Sequence, residues 1–226
     1  MAWLLRVGGL EMTHPLLTNI VFDVPERYGV PFSGHTSGIW VIDIESDNLW
    51  YEGTKIHCIC GIDPITGCHI GFRRVTTEED GKEIVILDEI PQAFEFFGKQ
   101  KALVAHNGID FDIPFMKKML PSWQSPGVFD TMTLASMLDS NRLTQSLASW
   151  GKSLDNHKMD YGKTADWSKY DDGMYIYCMQ DVVVTADLYL VLCLGSELAR
   201  EQYGITCLQT LEGAGFDPAN PPVFKA

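Results

Sequence analysis

The chemistry available to this chain rests on four acidic side chains and one phenol. Asp43 and Glu45 lie two apart in "VIDIESDNLW", Asp112 lies in "LVAHNGIDFDIPFM", and Asp181 closes "YCMQD" four residues after Tyr177. On a strand, side chains two apart emerge on the same side, about 7 Å apart along the chain. Two like charges on one side of an apolar strand repel and resist dehydration. On a helix, side chains four apart share a face, so the Tyr177 hydroxyl and the Asp181 carboxylate point the same way out of the apolar run Val182, Val183, Val184, Leu188, Leu190. Four carboxylates suit hard divalent cations, Mg²⁺ or Mn²⁺, which take oxygen ligands. Two such ions about 3.5–4 Å apart can hold the attacking and leaving oxygens of a phosphoryl transfer. Cations between Asp43 and Glu45 would also offset the repulsion that their placement creates.

The elements that must bring these residues together can be read along the chain. Residues 39–44, 55–62 and 68–75 read as successive strands, the last two joined by the turn residues "DPITG". "EIVILD" (83–88) reads as a short strand or a strand end, and "IPQAFEFFG" as a short helix closed by Gly98. "ALVAH" (102–106) is a buried strand that runs into His106-Asn107-Gly108, where glycine suits a sharp turn, and Pro114 fits the first turn of the next helix. "GVFD" is a strand whose Asp130 caps "TMTLASML"; "LTQSLASWG" is helical, and one long amphipathic helix is expected over 172–203. Strands in succession and then alternating helices and strands predict an α/β domain, a mixed five-stranded sheet flanked by helices. The expected division is an N-terminal extension (1–38, with Met12 as an alternative start), a core domain (39–204) and a loose tail (205–226).

Composition narrows the function. No apolar run reaches the ~18 residues needed to cross a bilayer, so no membrane partner is expected, and no basic-then-apolar leader with a cleavage site is evident at the N-terminus. Six scattered cysteines in 226 residues do not make a secreted disulfide framework, and reduced thiols in a cytoplasm are expected. A net charge of −13 argues against a broad basic face for duplex DNA. Between Lys101 and Lys169, eight Lys and Arg oppose seven Asp, a net +1 that leaves −14 elsewhere, so a polyanion is best handled there. Arg142, Lys152, Lys158 and Lys163 are phosphate-contact candidates on this ground, or simply a solvated face. Cys58, Cys60 and Cys68 with His57 and His69 lack zinc-ligand spacing, which favours strand packing. "GKS" and "GKT" fail the phosphate-loop pattern, because Ser146 and His157 stand where the earlier glycine must be.

D-x-E on a first strand, N-G-x-x-F-D before a helix and Y-x-x-x-D on a late helix resemble the DEDD 3′–5′ exonucleases. The tyrosine places the likeness in the DEDDy branch; the other branch has His five residues before the last Asp, where this chain has Ile176. "YIYCMQDVVVTADLYLVL", "FDTMTLASML" and "SLASWGKSL" are most similar to the proofreading domain of short-tailed-phage family A DNA polymerases, over about residues 38–200. The resemblance implies an RNase H-like fold and two-metal hydrolysis of single-stranded or frayed DNA 3′ ends to 5′-nucleoside monophosphates. It implies that Asp43, Glu45 and Asp181 hold one cation, that Asp43 bridges to a second near Asp112, and that Tyr177 orients the attacking water. Leu49 matches a position that packs against the terminal bases, and Asn107, beside His106, would support the site or the scissile end of the substrate. About twenty-six residues follow residue 200, with no polymerase domain among them. A role in DNA replication would therefore involve a separate DNA polymerase, in host cytoplasm for a phage protein. An RNA-trimming exoribonuclease and a non-catalytic DNA-binding or polymerase-associated module are the alternatives.

Overall fold

A computed structural model describes residues 24–195, 197, 201, 213 and 215–223. The strands are β1 (Val30–Pro31), β2 (Ile39–Ser46), β3 (Ile56–Asp63), β4 (Cys68–Glu79), β5 (Lys82–Asp88), β6 (Ala102–Ala105) and β7 (Gly127–Asp130). The helices are α1 (Ile90–Gly98), α2 (Asp112–Met119), α3 (Thr131–Leu138), α4 (Leu147–Ser153) and α5 (Asp172–Leu194). β2, β3 and β4 form an antiparallel meander, β6 and β7 extend it in parallel beyond β2, and β5 pairs with the second half of β4. The sheet has seven strands, not the five expected. One addition is β1, whose two residues are too short to show a period and which joins β4 in parallel. The other is β5, whose sequence reads equally as a strand end.

The period of two along β2 divides the core. Ile39 and Val41 face one side with Cys58, Cys60 and Ile62, against α5. Trp40, Ile42 and Ile44 face the other with Ile59, Phe97 and Phe115, against α1 and α2. Asp43 and Glu45 continue the α5 side by the same alternation. Helix α5 is apolar nearly all round because it lies between β2 and β3 below and α3 and α4 above. That position, rather than a bilayer, accounts for a helix long and apolar enough to cross a membrane. Each buried Val or Leu on it contributes roughly 1.5–3 kcal/mol. Asp171 caps its start by accepting from the Met174 amide at 2.9 Å. Its end departs from the single helix expected to residue 203: α5 stops at Leu194, and Gly195 takes a positive φ of 83° at its C-cap. Most of 196–203 lies outside the described residues.

The described parts of the extension and tail are packed onto this core. Tyr28 is fully buried, and Thr36 and Ser37 hydroxyls donate to Asp63 at 2.8 and 2.9 Å. The Tyr189 hydroxyl donates to the Pro218 carbonyl at 2.5 Å. Arg27 forms an ion pair with the buried Asp187 of α5, which also accepts from the Tyr28 hydroxyl at 2.9 Å and the Asn156 amide at 2.8 Å. Asp187→Ala would strand three donors at once. We expect a loss of about 3 kcal/mol, or about 10 °C in Tm; a melting curve displaced by less than about 2 °C would show that this network does not hold the extension down.

Candidate active site

The strand alternation brings Asp43 and Glu45 out on the side of α5, and the antiparallel register sets Asp43 opposite Cys60 and Glu45 opposite Cys58. Small thiols beside the acids leave room and exclude water. A register shift between Glu45 and Ser46 ends the regular pairing there. Asp112 opens α2, which the chain reaches through a tight turn after β6. The turn is built otherwise than its glycine suggested: Asn107 carries the positive φ of 65°, and Gly108 is required for space, since a Cβ there would lie 2.3 Å from that of Ala105. Asp181 and Tyr177 lie one turn apart on the sheet-facing side of α5, both buried.

All four acids line one cleft of about 210 Å³, with Tyr177, His106, Asn107, Phe111, Lys158 and Trp167. Burial raises all four carboxyls, and neighbouring acids add to this at Asp43, Glu45 and Asp112. Burial first, and then Glu45, Asp112 and Asp181, push the Asp43 carboxyl well above the usual range. Burial and Asp181 do the same to Glu45. Burial raises Asp112 to about 7 against backbone hydrogen bonds that oppose it. Burial raises Asp181 to about 6 against the pull of Lys158. A cluster that resists ionisation in this way stores a preference for added positive charge. Two oxygens give that preference a place: Asp112 Oδ1 and Asp181 Oδ1 are buried without a hydrogen-bond partner. The equally buried carboxylate of Asp187, by contrast, is fully satisfied. Orphaned carboxylate oxygens on two residues that line a shared cleft fit a divalent cation with oxygen ligands.

The sequence-based candidates are not all placed alike. His106 lines the cleft, but its ring nitrogens lie 2.9 Å from Thr131 Oγ1 and 2.9 Å from the Gln145 carbonyl, so the imidazole braces the loops. Asp130 caps α3 and also accepts from the Ile109 amide at 3.1 Å, steadying the turn that carries Asp112. Leu49 is half exposed on the loop after β2, followed by the exposed Trp50 and Tyr51. Lys118 holds that loop by donating to the carbonyls of Trp50, Tyr51 and Gly53 at 3.1, 3.1 and 2.7 Å. Sequence reasoning did not single out Trp167 or Tyr161. Their rings stand 6.2 and 5.5 Å from that of Tyr177 and fix its orientation. They come from the irregular segment after α4, where no period signals a role. Cys58, Cys60 and Cys178 gather their sulfurs within 4.8 Å. Burial pushes all three thiols up, so they remain protonated and pack as neutral groups. The larger cleft of about 510 Å³ between β4 and α1 is lined by Phe32, Phe72 and Phe96 and has no converging acids.

No family model and no curated protein sequence matches the chain. Solved structures do match. One described as the apo form of a nuclease aligns over 70% of this chain and 74% of its own, at 14% identity and a TM-score of 0.52. Brucella melitensis NrnC aligns over 79% of this chain and 78% of its own, at 18% identity and a TM-score of 0.50. The fold is RNase H-like. In this RNase H-like core the acids occupy the central strand β2, the start of α2 and the long helix α5, three segments far apart in sequence that meet at one cleft, α5 reaching it from one face of the sheet and α2 from the other.

Proposed function

We propose that this protein is a divalent-cation-dependent 3′–5′ exonuclease that removes 5′-nucleoside monophosphates from single-stranded or frayed DNA ends. The observation that carries this reading is the convergence of four carboxylates on one cleft with two buried oxygens unpartnered. The fold shared with nucleases supports it. A binding module would have no use for a complete set of mutually repelling acids.

Asp43, Glu45 and Asp181 would hold one cation, and Asp43 with Asp112 a second. Bound there, the pair would polarise the scissile phosphate and offset charge on the entering and leaving oxygens. The remaining work belongs to the chain's own groups. Burial keeps the Tyr177 phenol at about 12, so near neutrality it stays protonated and holds a fixed donor next to Asp181. Its hydroxyl would orient the attacking water in line with the leaving oxygen, and the rings of Tyr161 and Trp167 keep it from swinging away. Leu49, half exposed on the loop after β2, would pack on the terminal base, which leaves its stack to enter. Single strands suit this better than duplex.

Labelled single-stranded oligonucleotides of DNA and RNA, matched in sequence and incubated with Mg²⁺, test the reading. Mononucleotide release from the 3′ end with DNA preferred supports it. RNA preferred would redirect it to the trimming of RNA, and retention of an intact oligonucleotide would overturn hydrolysis. Tyr177→Phe should keep Mn²⁺ affinity and lower kcat by about 10–100-fold; equal rates would remove the phenol from the mechanism.

A further inference from the structure

Lys158 is the one cationic side chain among the described residues that line the acidic cleft. Its ammonium forms an ion pair with Asp181 Oδ2 and lies 4.7 Å from the centre of the Tyr177 ring. The lysine is placed there by more than its own charge. Gln180 donates to Asn156 Oδ1 at 2.7 Å and to the His157 carbonyl at 3.2 Å, and Asn156 donates to Asp187 at 2.8 Å. Residues 156–157 are thus tied to α5 on both sides of Asp181. Gly151 permits the approach, since a Cβ there would lie 2.5 Å from the Asn156 carbonyl oxygen. The Lys158 side chain is 27% exposed while that of Asp181 is 4% exposed, so the lysine is the partner of the pair that solvent reaches.

Resting on the nuclease reading above, we propose that Lys158 is a positioning residue that exchanges partners during the reaction. It holds Asp181 while the cleft lacks cations, and it transfers to a non-bridging oxygen of the scissile phosphate once they are bound. The charges decide this. Four carboxylates carry −4, and a pair of divalent ions supplies +4. The loaded cluster is then neutral and an ammonium left at Asp181 would be the one unmatched charge, +1, whereas an entering phosphodiester brings the negative charge that matches it. A lysine is a compact charge on a four-carbon stem and can make that short transfer without backbone movement. In the metal-free protein the ion pair with Lys158 offsets the charge of Asp181, which none of the three other acids of the cleft can do.

The proposal requires two effects of opposite sign. Lys158→Met should bind Mn²⁺ alone more tightly by about 3–10-fold, measured by isothermal titration, because a competing cation has been removed. At saturating Mn²⁺ it should lower kcat on single-stranded DNA by about 10–100-fold, because a contact to the phosphate is gone. Lys158→Arg, which keeps the charge, should restore most of the rate, and melting curves confirm that each variant is folded. Unchanged Mn²⁺ affinity, or tighter binding with an unchanged kcat, overturns the exchange while leaving the nuclease reading intact if the wild type is active. A wild-type protein that releases no nucleotide overturns the reading itself.

Discussion

Replacing Asp43 by alanine is expected to lower nucleotide release by about 10³-fold or more, the largest effect that any single substitution should produce. Asp43 stands between the other acids: its carboxyl responds to Glu45, Asp112 and Asp181 together. Removing it takes a ligand from both proposed cation positions, where each of the others serves one. The loss should fall on kcat more than on KM, since Leu49 and the loop that carries it are untouched. Asp43→Ala should also remain folded, because the side chain it removes repels its neighbours in the metal-free protein. Activity within about 10-fold of wild type would show that the cleft is not where hydrolysis occurs.

The second large effect concerns stability. Asp112 and Asp181 have folded-state values of about 7 and about 6, both above the ordinary 3.8. A raised carboxylate binds its proton more tightly when folded, so its contribution to stability is complete below about pH 4. It is lost as the pH rises through 6 and then 7. In EDTA the protein should therefore melt at lower temperature at pH 8 than at pH 5, by about 10 °C if roughly 4 kcal/mol is involved. Mn²⁺ at pH 8 should reverse the loss, since a ligand that binds only the folded state stabilises it by mass action. Asp112→Asn should raise the metal-free Tm at pH 8 while abolishing nucleotide release. A Tm in EDTA that rises from pH 5 to pH 8 would contradict the clustering of the acids.

Much of this site was legible in sequence because the signals are local. The alternation of Ile39, Val41, Asp43 and Glu45 states that the acids continue the buried side of β2, and the four-residue spacing of Tyr177 and Asp181 places both on one helix face. Asp130 announced its cap, as found. What could not be read depends on the third dimension. Asp187 looks like Asp181 in sequence, two acids in one apolar helix. Only the arrival of Arg27, Tyr28 and Asn156 makes the first structural and leaves the second with an orphaned oxygen. Lys158 reads like its basic neighbours in a polar stretch, and what sets it apart is Gln180, distant in sequence, which anchors the residues before it. β1 is a strand only because β4 offers it an edge, and Gly108 serves close packing where its sequence context suggested backbone freedom.

The most direct test of the account is a crystal soaked in Mn²⁺ and recorded at a wavelength where manganese scatters anomalously. The account predicts two anomalous peaks within the cleft, one touching Asp43, Glu45 and Asp181 and the other touching Asp43 and Asp112, with Lys158 withdrawn from Asp181. Four carboxylates without a peak between them, or ions bound only elsewhere on the surface, would contradict it.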